Sequence, residues 1–478
     1  MQEHYGAERQ AYSIDTRLDL KREATATLFL KLSNGVEIAV PNNLSHITTY
    51  VIAEQETWFE SELDYWGQAL EPGAFVFDVG ANHGVYALSL APVVEPEGRL
   101  IAFEPGAGAF SYLRRGVEHG EHKNIELRQI ALAAEAGSGH LHGDAVGGIT
   151  VHENLTLKAG KGRQLEEVEI STLDLEWQRL NRPMVDFVKL DVEYMELEVL
   201  NGSTEMIKAC APMIMFEVSG EQTPCKTIGE WLQAKGYDLY RHLPAMNILV
   251  PLVIGELSRY QLNVVAMPRS RAKSLAQRDL LVLEDEAEHV VQNDIWTLIE
   301  IPEKGWPDSL TSLPSWKRYG QLDDGPKSRI DMIRHGNQPN PYREALWLAA
   351  AAIDPNQPLV VRYTALRQAC AMTTEFMQND AAYRQSLTKL WTTARLAWMC
   401  GFRELATDAL GHAGRLLNRP PAVFSEPFLP ALPRFDDIDP GEDLVDWAAM
   451  MTIESLITLN SHSSRFTKGE ALPALERW

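Results

Sequence analysis

Short apolar runs between residues 75 and 267 constrain this chain more than any other feature in it. The runs are 75–79, 100–103, 125–130, 185–190, 213–218, 237–240 and 263–267, and several are apolar at nearly every position. A strand with one wet face alternates apolar and polar residues. A strand apolar on both faces must be covered on both, as in a parallel sheet packed between helices. Stretches with helical spacing, 84–91, 110–119, 196–209 and 227–235, separate the runs. The pattern predicts an α/β fold with a Rossmann-like, doubly wound sheet. Residues 133–183, rich in Gly, His and Thr, interrupt it and are expected to add strands over one edge.

The flanks read differently. Residues 28–32 and 36–40 are apolar runs around Ser33-Asn34-Gly35, which predicts a β-hairpin. Residues 50–70 place Trp58, Phe59, Leu63, Trp66 and Leu70 at helical spacing and end at Glu71-Pro72-Gly73. The Trp and Phe rings are read as core, with a carbohydrate-stacking role kept open. Residues 300–342 are rich in Pro and Gly and read as a connector. From Tyr342 the chain turns Ala/Leu-rich and helical. Ala394, Ala397, Gly401, Ala406 and Ala409 sit at helix-contact positions around the turn Met399-Cys400-Gly401-Phe402. That turn resembles half of a tetratricopeptide-type hairpin, but no clean repeat of roughly 34 residues supports it, and an irregular bundle stands equally beside it. Residues 419–443 read as a proline-rich, acidic loop before a final helix over 444–459. The expected division is an N-terminal hairpin and cap helix over 1–74, an α/β domain over 75–270, a connector over 271–341 and an all-α domain over 342–478. At ~150 residues per domain, a length of 478 agrees with about three units.

Charge and cysteine usage exclude several classes. Acidic residues number 66 against 44 basic ones, a formal net charge of −22. Such a chain repels phosphate backbones and anionic surfaces, so no nucleic-acid partner is expected. The 4 cysteines form no C-x-x-C pair, which argues against a zinc ribbon or dithiol redox motif and for a reducing compartment. The polar start and apolar stretches far shorter than the roughly 20 residues of a membrane span point to a cytoplasmic location. The charge leaves small molecules or glycans as the expected partners. A homo-oligomer or a protein bound by the helical domain remains open.

The chemistry is concentrated in Asp78-x-Gly80-x-Asn82-x-Gly84, which follows the first run and opens a helix. Its glycines allow a tight turn and close approach to a ligand at the carboxyl end of the strand. Glu104 ends the second run, where an acid can accept both hydrogen bonds of a ribose diol. NAD enzymes place an acid similarly, so Glu104 alone does not choose the cofactor. The loop does: Asn82 occupies the position of the second glycine in G-x-G-x-x-G, the one that admits a pyrophosphate. A ligand without phosphate, S-adenosylmethionine, is favoured over NAD.

Several ordered stretches carry a resemblance. They are Phe77-Asp-Val-Gly-Ala-Asn82, Phe103-Glu-Pro105, Ser171-Thr-Leu-Asp174, Val185-Asp-Phe-Val-Lys-Leu-Asp-Val-Glu193, Val199-Leu-Asn-Gly202 and Pro212-Met-Ile-Met-Phe-Glu217. Residues 48–270, under half the chain, resemble the FkbM family of class I S-adenosylmethionine-dependent methyltransferases. The resemblance implies a seven-stranded methyltransferase sheet and methylation of hydroxyls, often on sugars or polyketide-type products. Two departures stand out. Tyr194 replaces the Gly that usually follows Asp-Val-Glu, crowding the acceptor site, and Gly106 stands where a polar residue is commoner.

On this reading Asp78 lies near the methionine moiety, Gly80, Asn82 and Gly84 shape the loop, and Glu104 holds the ribose. Ala131, after the third run, lines the adenine or merely packs. Glu56 reaches the cofactor's amino group, since the resemblance lays the cap helix over the site, or else sits on a solvated face. Lys189, Asp191 and Glu193 alternate along the fourth strand and share a face. Two carboxylates and an ammonium there are costly unless paired or used. Glu193 is the candidate base for a hydroxyl proton, Asp191 a cofactor or acceptor contact, and a purely structural Lys189–carboxylate pair the plainer alternative. Tyr194, Glu217, His83 and His152 are placed on the acceptor side, although a simple exposed histidine is the plainer reading of His83. His140 and His142 share a strand face but have no acid at matching spacing, so no metal is expected. The rival functions are a non-catalytic adaptor that holds the cofactor and an NAD-linked oxidoreductase.

Overall fold

The computed structural model describes residues 27–143, 145–146, 149–150, 157, 163–218, 222–253, 257–258, 260–299, 308–313, 341–417, 427–440 and 444–460. It divides into two compact units, Met1–His242 with Leu252–Leu275, and Leu243–Pro251 with Ala276–Trp478.

The first unit opens with the hairpin of β1 (Thr27–Lys31) and β2 (Glu37–Pro41). Asn34 Oδ1 accepts the Val36 N–H at 3.0 Å, and Gly35 takes the left-handed φ of 89° that the turn requires. The single helix expected over 50–70 is two helices, Ile47–Gln55 and Glu62–Ala69. Glu56 breaks it at φ 57°, where its carbonyl accepts the Ser33 N–H at 2.6 Å and ties the helix end to the hairpin. Apolar spacing continues through the break, which is why the sequence reads as one helix. The second helix buries Trp66 against Phe187, ring centroids 4.0 Å apart, with its Nε1 donating to Met215 Sδ at 3.2 Å. Trp66 is core, as expected.

Strands β3 (Phe75–Val79), β4 (Arg99–Phe103) and β5 (Ile125–Arg128) follow in parallel. The expected third strand, 125–130, ends early, and Ala131 belongs to β6 (Ala131–Leu132). With β7 (Gly137–Gly143) and β10 (Arg163–Ser171), β6 forms a separate three-stranded sheet in the order β6-β10-β7. The short pair β8 (Ala145–Val146) and β9 (Ile149–Thr150) lies between them in sequence. The chain then returns to the central sheet as β11 (Phe187–Leu190), β12 (Met213–Glu217), β13 (Tyr237–Leu243), β14 (Ile248–Pro251) and β15 (Asn263–Pro268).

The central sheet has eight strands, in the order β14-β13-β15-β12-β11-β3-β4-β5, one more than the seven expected. The extra strand, β14, is an apolar run too short for periodicity to type. Strands β12, β11, β3, β4 and β5 run parallel, and β15 is antiparallel to both β12 and β13. Phe77, Phe103, Phe187 and Phe216 are fully buried in the core of this sheet. From β3 the chain moves outward to β4 and β5, then comes back to β11 on the other side of β3. The crevice at the carboxyl ends of β3 and β11 is therefore the topological switch point, the place where such sheets hold ligands.

The second unit is largely helical. Pro341–Ile353 and Leu359–Asn379, then Leu387–Met399 and Arg403–Leu417, are successive helices, with Leu444–Asn460 after them. Gly401, at φ 77°, closes Leu387–Met399: the Phe402 N–H reaches Ala397 O at 2.8 Å and the Gly401 N–H reaches Trp398 O at 2.9 Å. Ala394, Ala397, Ala406 and Ala409 are fully buried. Arg395 is fixed by two bonds to Asp436, at 2.9 and 2.6 Å. The short helices Arg269–Ala276 and Glu284–Gln292 fall largely in the stretch read as connector. No described helix is long and apolar enough to cross a membrane.

Candidate active site

The loop after β3 is built around close backbone approaches. Gly80 has φ 82°, and its N–H and that of Ala81 donate to Phe103 O at 2.9 and 3.0 Å. A Cβ on Gly80 would lie 1.7 Å from the carbonyl oxygen of Asp191. The first reason for this glycine is thus the end of β11 rather than a ligand. Gly84, at φ 86°, precedes the helix Val85–Val94, and a Cβ there would meet Leu113 Cδ1 at 2.5 Å.

Glu104 closes the loop. Its Oε2 accepts the Asn82 N–H at 2.9 Å and its Oε1 the Gly106 N–H at 2.7 Å. Gly106 works through its backbone, so its missing polar side chain costs this contact nothing. Burial pushes the Glu104 carboxyl up to about 7, against the lowering effect of those two N–H groups.

Asp78 is 1% exposed, and neither carboxylate oxygen has a hydrogen-bond partner. Burial pushes it up to about 6, with Lys189 opposing and Asp191 adding to the rise. Lys189 Nζ stands 2.9 Å from Asp191 Oδ2, 3.9 Å from Asp78 Oδ1 and 5.0 Å from the Tyr86 ring. Burial works against the Lys189 charge, but Asp191, Asp78 and Glu60 outweigh it and hold the ammonium protonated, above its ordinary range. The pairing expected of Lys189 with a carboxylate is therefore made with Asp191.

Beyond this pair, Asp191, Glu193 and Glu217 each bring an oxygen within 4.8 Å of the other two. Burial first, then Asp191 and Glu196, push Glu193 up to about 7. Glu193 and Tyr194 have φ 50° and 77°, two successive side-chain-bearing residues in the left-handed region. Glu196 Oε1 accepts the Val192 N–H at 3.2 Å and pins the start of this turn. Tyr194 is 46% exposed.

Other expected site residues are placed differently. His83 is buried, its Nδ1 3.3 Å from Thr48 Oγ1 and its ring 5.4 Å from that of Tyr112. It is not the exposed histidine expected, because Thr48 of the first cap helix packs on it. Ala131 is buried beside Leu141 and Val168, and it pairs with Ile170 in the small sheet rather than ending the third strand. His140 and His142 face Glu167 and Gln164 across β7–β10. His152 lies outside the described residues. Glu56 is exposed at the helix end.

The buried acids of the cap are Glu60 and Glu62, which the sequence reading did not select. Glu60 Oε1 accepts from Asn263 Nδ2 and its Oε2 from Trp58 Nε1, both at 2.8 Å. Burial raises its pKa, with Lys189 opposing and Asp191 adding. No local pattern marks Glu60, since its partner Asn263 is 203 residues away in sequence.

An S-adenosylmethionine-like ligand suits what is present. Both Asp78 oxygens and Asn82 Oδ1 are buried acceptors without donors, a state that a ligand carrying ammonium and hydroxyl groups relieves.

Several known proteins are similar to part of this chain. Residues 78–239 match the family model described as the methyltransferase FkbM domain. The AMB antimetabolite synthetase AmbE of Pseudomonas aeruginosa is 26% identical over 272 residues, covering 48% of this chain and 12% of AmbE. The chain thus spans a small part of that relative's length. Among solved structures, methyltransferase FkbM from Methylobacillus flagellatus KT is 15% identical, over 46% of this chain and 53% of its own, at a TM-score of 0.28. A SAM-dependent methyltransferase from Aquifex aeolicus is 17% identical, over 44% and 88%, at 0.25. A Streptococcus mutans methyltransferase in complex with SAH is 11% identical, over 44% and 96%, at 0.27. Over residues 78–239 this chain carries a methyltransferase domain of the FkbM type.

Proposed function

We propose that this chain transfers a methyl group from S-adenosylmethionine to a hydroxyl oxygen of a small molecule or glycan, with Glu193 as the base. The unequal pairing of neighbouring carboxylates carries this reading. Lys189 bonds Asp191 at 2.9 Å and fixes it, whereas Glu193 has no such cation among the described residues and is pushed up to about 7 by burial, near the pH at which a base works best.

The cofactor, when bound, supplies a methyl group on a sulfonium. Asp78 would serve its methionine end and Glu104 its ribose hydroxyls, while Gly80, Asn82 and Gly84 shape the loop beneath and Ala131 lies toward the adenine side. Glu193 takes the acceptor's hydroxyl proton as the oxygen becomes a nucleophile. Glu217 and Tyr194 orient the acceptor, and alignment of the reacting atoms supplies much of the rate. The net charge of −22 disfavours polyanionic acceptors. A relative named as an antimetabolite synthetase supports a small-molecule product. Four buried, free cysteines are in keeping with a reducing compartment. The helical second unit is assigned to binding an acceptor, a protein partner or a second copy.

Methyl transfer is tested by incubating the protein with methyl-labelled S-adenosylmethionine and small-molecule extract, and following S-adenosylhomocysteine release. Glu193→Gln is expected to slow turnover ~10²–10⁴-fold, with cofactor affinity kept within about twofold. Full turnover by the variant removes Glu193 as base. Cofactor binding without release in any extract favours the adaptor, and binding of reduced nicotinamide instead favours the oxidoreductase.

A further inference from the structure

The cap contributes one buried acid to the switch-point crevice. Glu60 lies in the turn before the helix Glu62–Ala69 and is 8% exposed. Its Oε1 is held by Asn263 Nδ2 at 2.8 Å. Asn263 begins β15 and pairs in register with Glu217, the last residue of β12. Glu217 in turn lies within 4.8 Å of Asp191 by their carboxylate oxygens. Asp191 bonds Lys189, which faces Asp78. Glu60 is thereby anchored to the start of β15, beside the carboxyl end of β12, the strand next to the one that presents Lys189 and Asp191.

The charges in this group do not balance. Asp78, Asp191 and Glu60 surround the single ammonium of Lys189, and that ammonium makes its short bond to Asp191 alone. Asp78 is fully buried, faces Lys189 at 3.9 Å, and has no hydrogen-bond partner on either oxygen. Buried carboxylates without compensating cations are costly: the raised pKa values of Asp78 and Glu60 are one relief, and entry of a second cation with several donors is the other. A primary ammonium, with three N–H donors, meets that need.

Resting on the cofactor reading above, we infer that Glu60 is a cofactor-binding carboxylate of the cap, which receives the α-ammonium of S-adenosylmethionine together with Asp78. The role that the sequence assigned to Glu56 passes to Glu60, four residues further on in the connection between the two cap helices, where it is buried and Glu56 is exposed. A carboxylate also remains available to bind after its anchoring bonds are made, because each oxygen has a second acceptor position.

Calorimetry with three ligands tests this: S-adenosylmethionine, S-adenosylhomocysteine and 5′-methylthioadenosine, which lacks the amino-acid end. Glu60→Gln is expected to weaken the first two at least tenfold and to leave the third within twofold. Glu56→Gln is expected to change none. Trp58→Phe, which removes the donor to Glu60 Oε2 but keeps the carboxylate, is expected to bind all three within about threefold. Should Glu60→Gln fail to fold, Glu60→Asp withdraws the charge by one methylene and is expected to show the same selective loss. Equal weakening of all three ligands, or of none, overturns the inference, as does a loss in Trp58→Phe equal to that in Glu60→Gln. A wild-type protein that binds none of the three overturns the cofactor reading itself, a result distinct from a change confined to the variants.

Discussion

Glu104 Oε2 accepts the backbone N–H of Asn82 at 2.9 Å, so the strand-end acid and the glycine loop are one structural unit. The second oxygen holds Gly106 in the same way. Glu104→Ala removes both acceptors and leaves two backbone N–H groups without them. Charge-assisted bonds of this kind contribute about 1.5–3 kcal/mol each. The expected outcome is S-adenosylmethionine affinity at least ~30-fold weaker by calorimetry, with Glu104→Gln losing less because it keeps one acceptor. Unchanged affinity in Glu104→Ala removes the ribose assignment.

The buried acids make stability depend on pH in a direction opposite to that of paired surface carboxylates. Burial and the neighbouring Glu60 push Glu62 from 4.5 up to about 8. Between those values the folded chain holds a proton that the unfolded chain has released. The contribution of Glu62 is therefore complete below pH 4.5 and is lost as pH rises through 8. Glu104 and Glu193, both at about 7, act in the same direction over 4.5 to 7. The melting temperature of the cofactor-free protein is expected to fall from about pH 6 to pH 9, and Glu62→Gln to flatten that fall. An identical slope in the variant excludes Glu62 as a contributor.

Tyr194 occupies the left-handed region at φ 77° and is 46% exposed. Glycine takes that conformation freely, whereas an L side chain there costs roughly 1–2 kcal/mol. Tyr194→Gly relieves that strain at the loss of the covered half of the residue, and is expected to raise the melting temperature by ~2–4 °C. The same variant is expected to raise the acceptor KM without changing cofactor affinity. A lower melting temperature shows that contacts of the ring outweigh the strain.

Gly80 tolerates no side chain. A Cβ 1.7 Å from the Asp191 carbonyl oxygen forces β3 and β11 apart at their ends. Gly80→Ala is expected to destabilise the protein by several times the ~1 kcal/mol typical of a point substitution, and to abolish cofactor binding. Chemical denaturation and calorimetry check both. Wild-type stability in this variant excludes the close approach.

Strand and helix types in the α/β part were legible because burial on both faces leaves a composition that needs no partner to be read. Phe77, Phe103, Phe187 and Phe216 are apolar and fully buried, as their runs suggest. The breaks were not legible. Glu56 ends the helix Ile47–Gln55 and Gly202 separates Glu196–Asn201 from Thr204–Cys210, although apolar spacing continues across both, and each of the two residues has a tertiary contact. Glu56 O accepts the Ser33 N–H, and Ala133 O comes within 2.2 Å of where a Gly202 Cβ would stand. The loop 78–84 and the strand-end acid Glu104 were legible because each has a fixed place relative to a strand.

By itself the sequence determined the alternation of strands and helices, the loop Asp78–Gly84 and the position of Glu104, because each follows from neighbours within one strand–turn–helix unit. The two-residue period expected to align Lys189, Asp191 and Glu193 does not reach the last of them: β11 ends at Leu190, and Glu193, at φ 50°, lies in the turn beyond it. Only the tertiary structure decided which acid of the cap turns inward, that His83 is buried under Thr48, and that Lys189 chooses Asp191. Those outcomes depend on distances between segments remote in sequence. Electrostatic pairing and desolvation act on such distances, and no local pattern of residues encodes them.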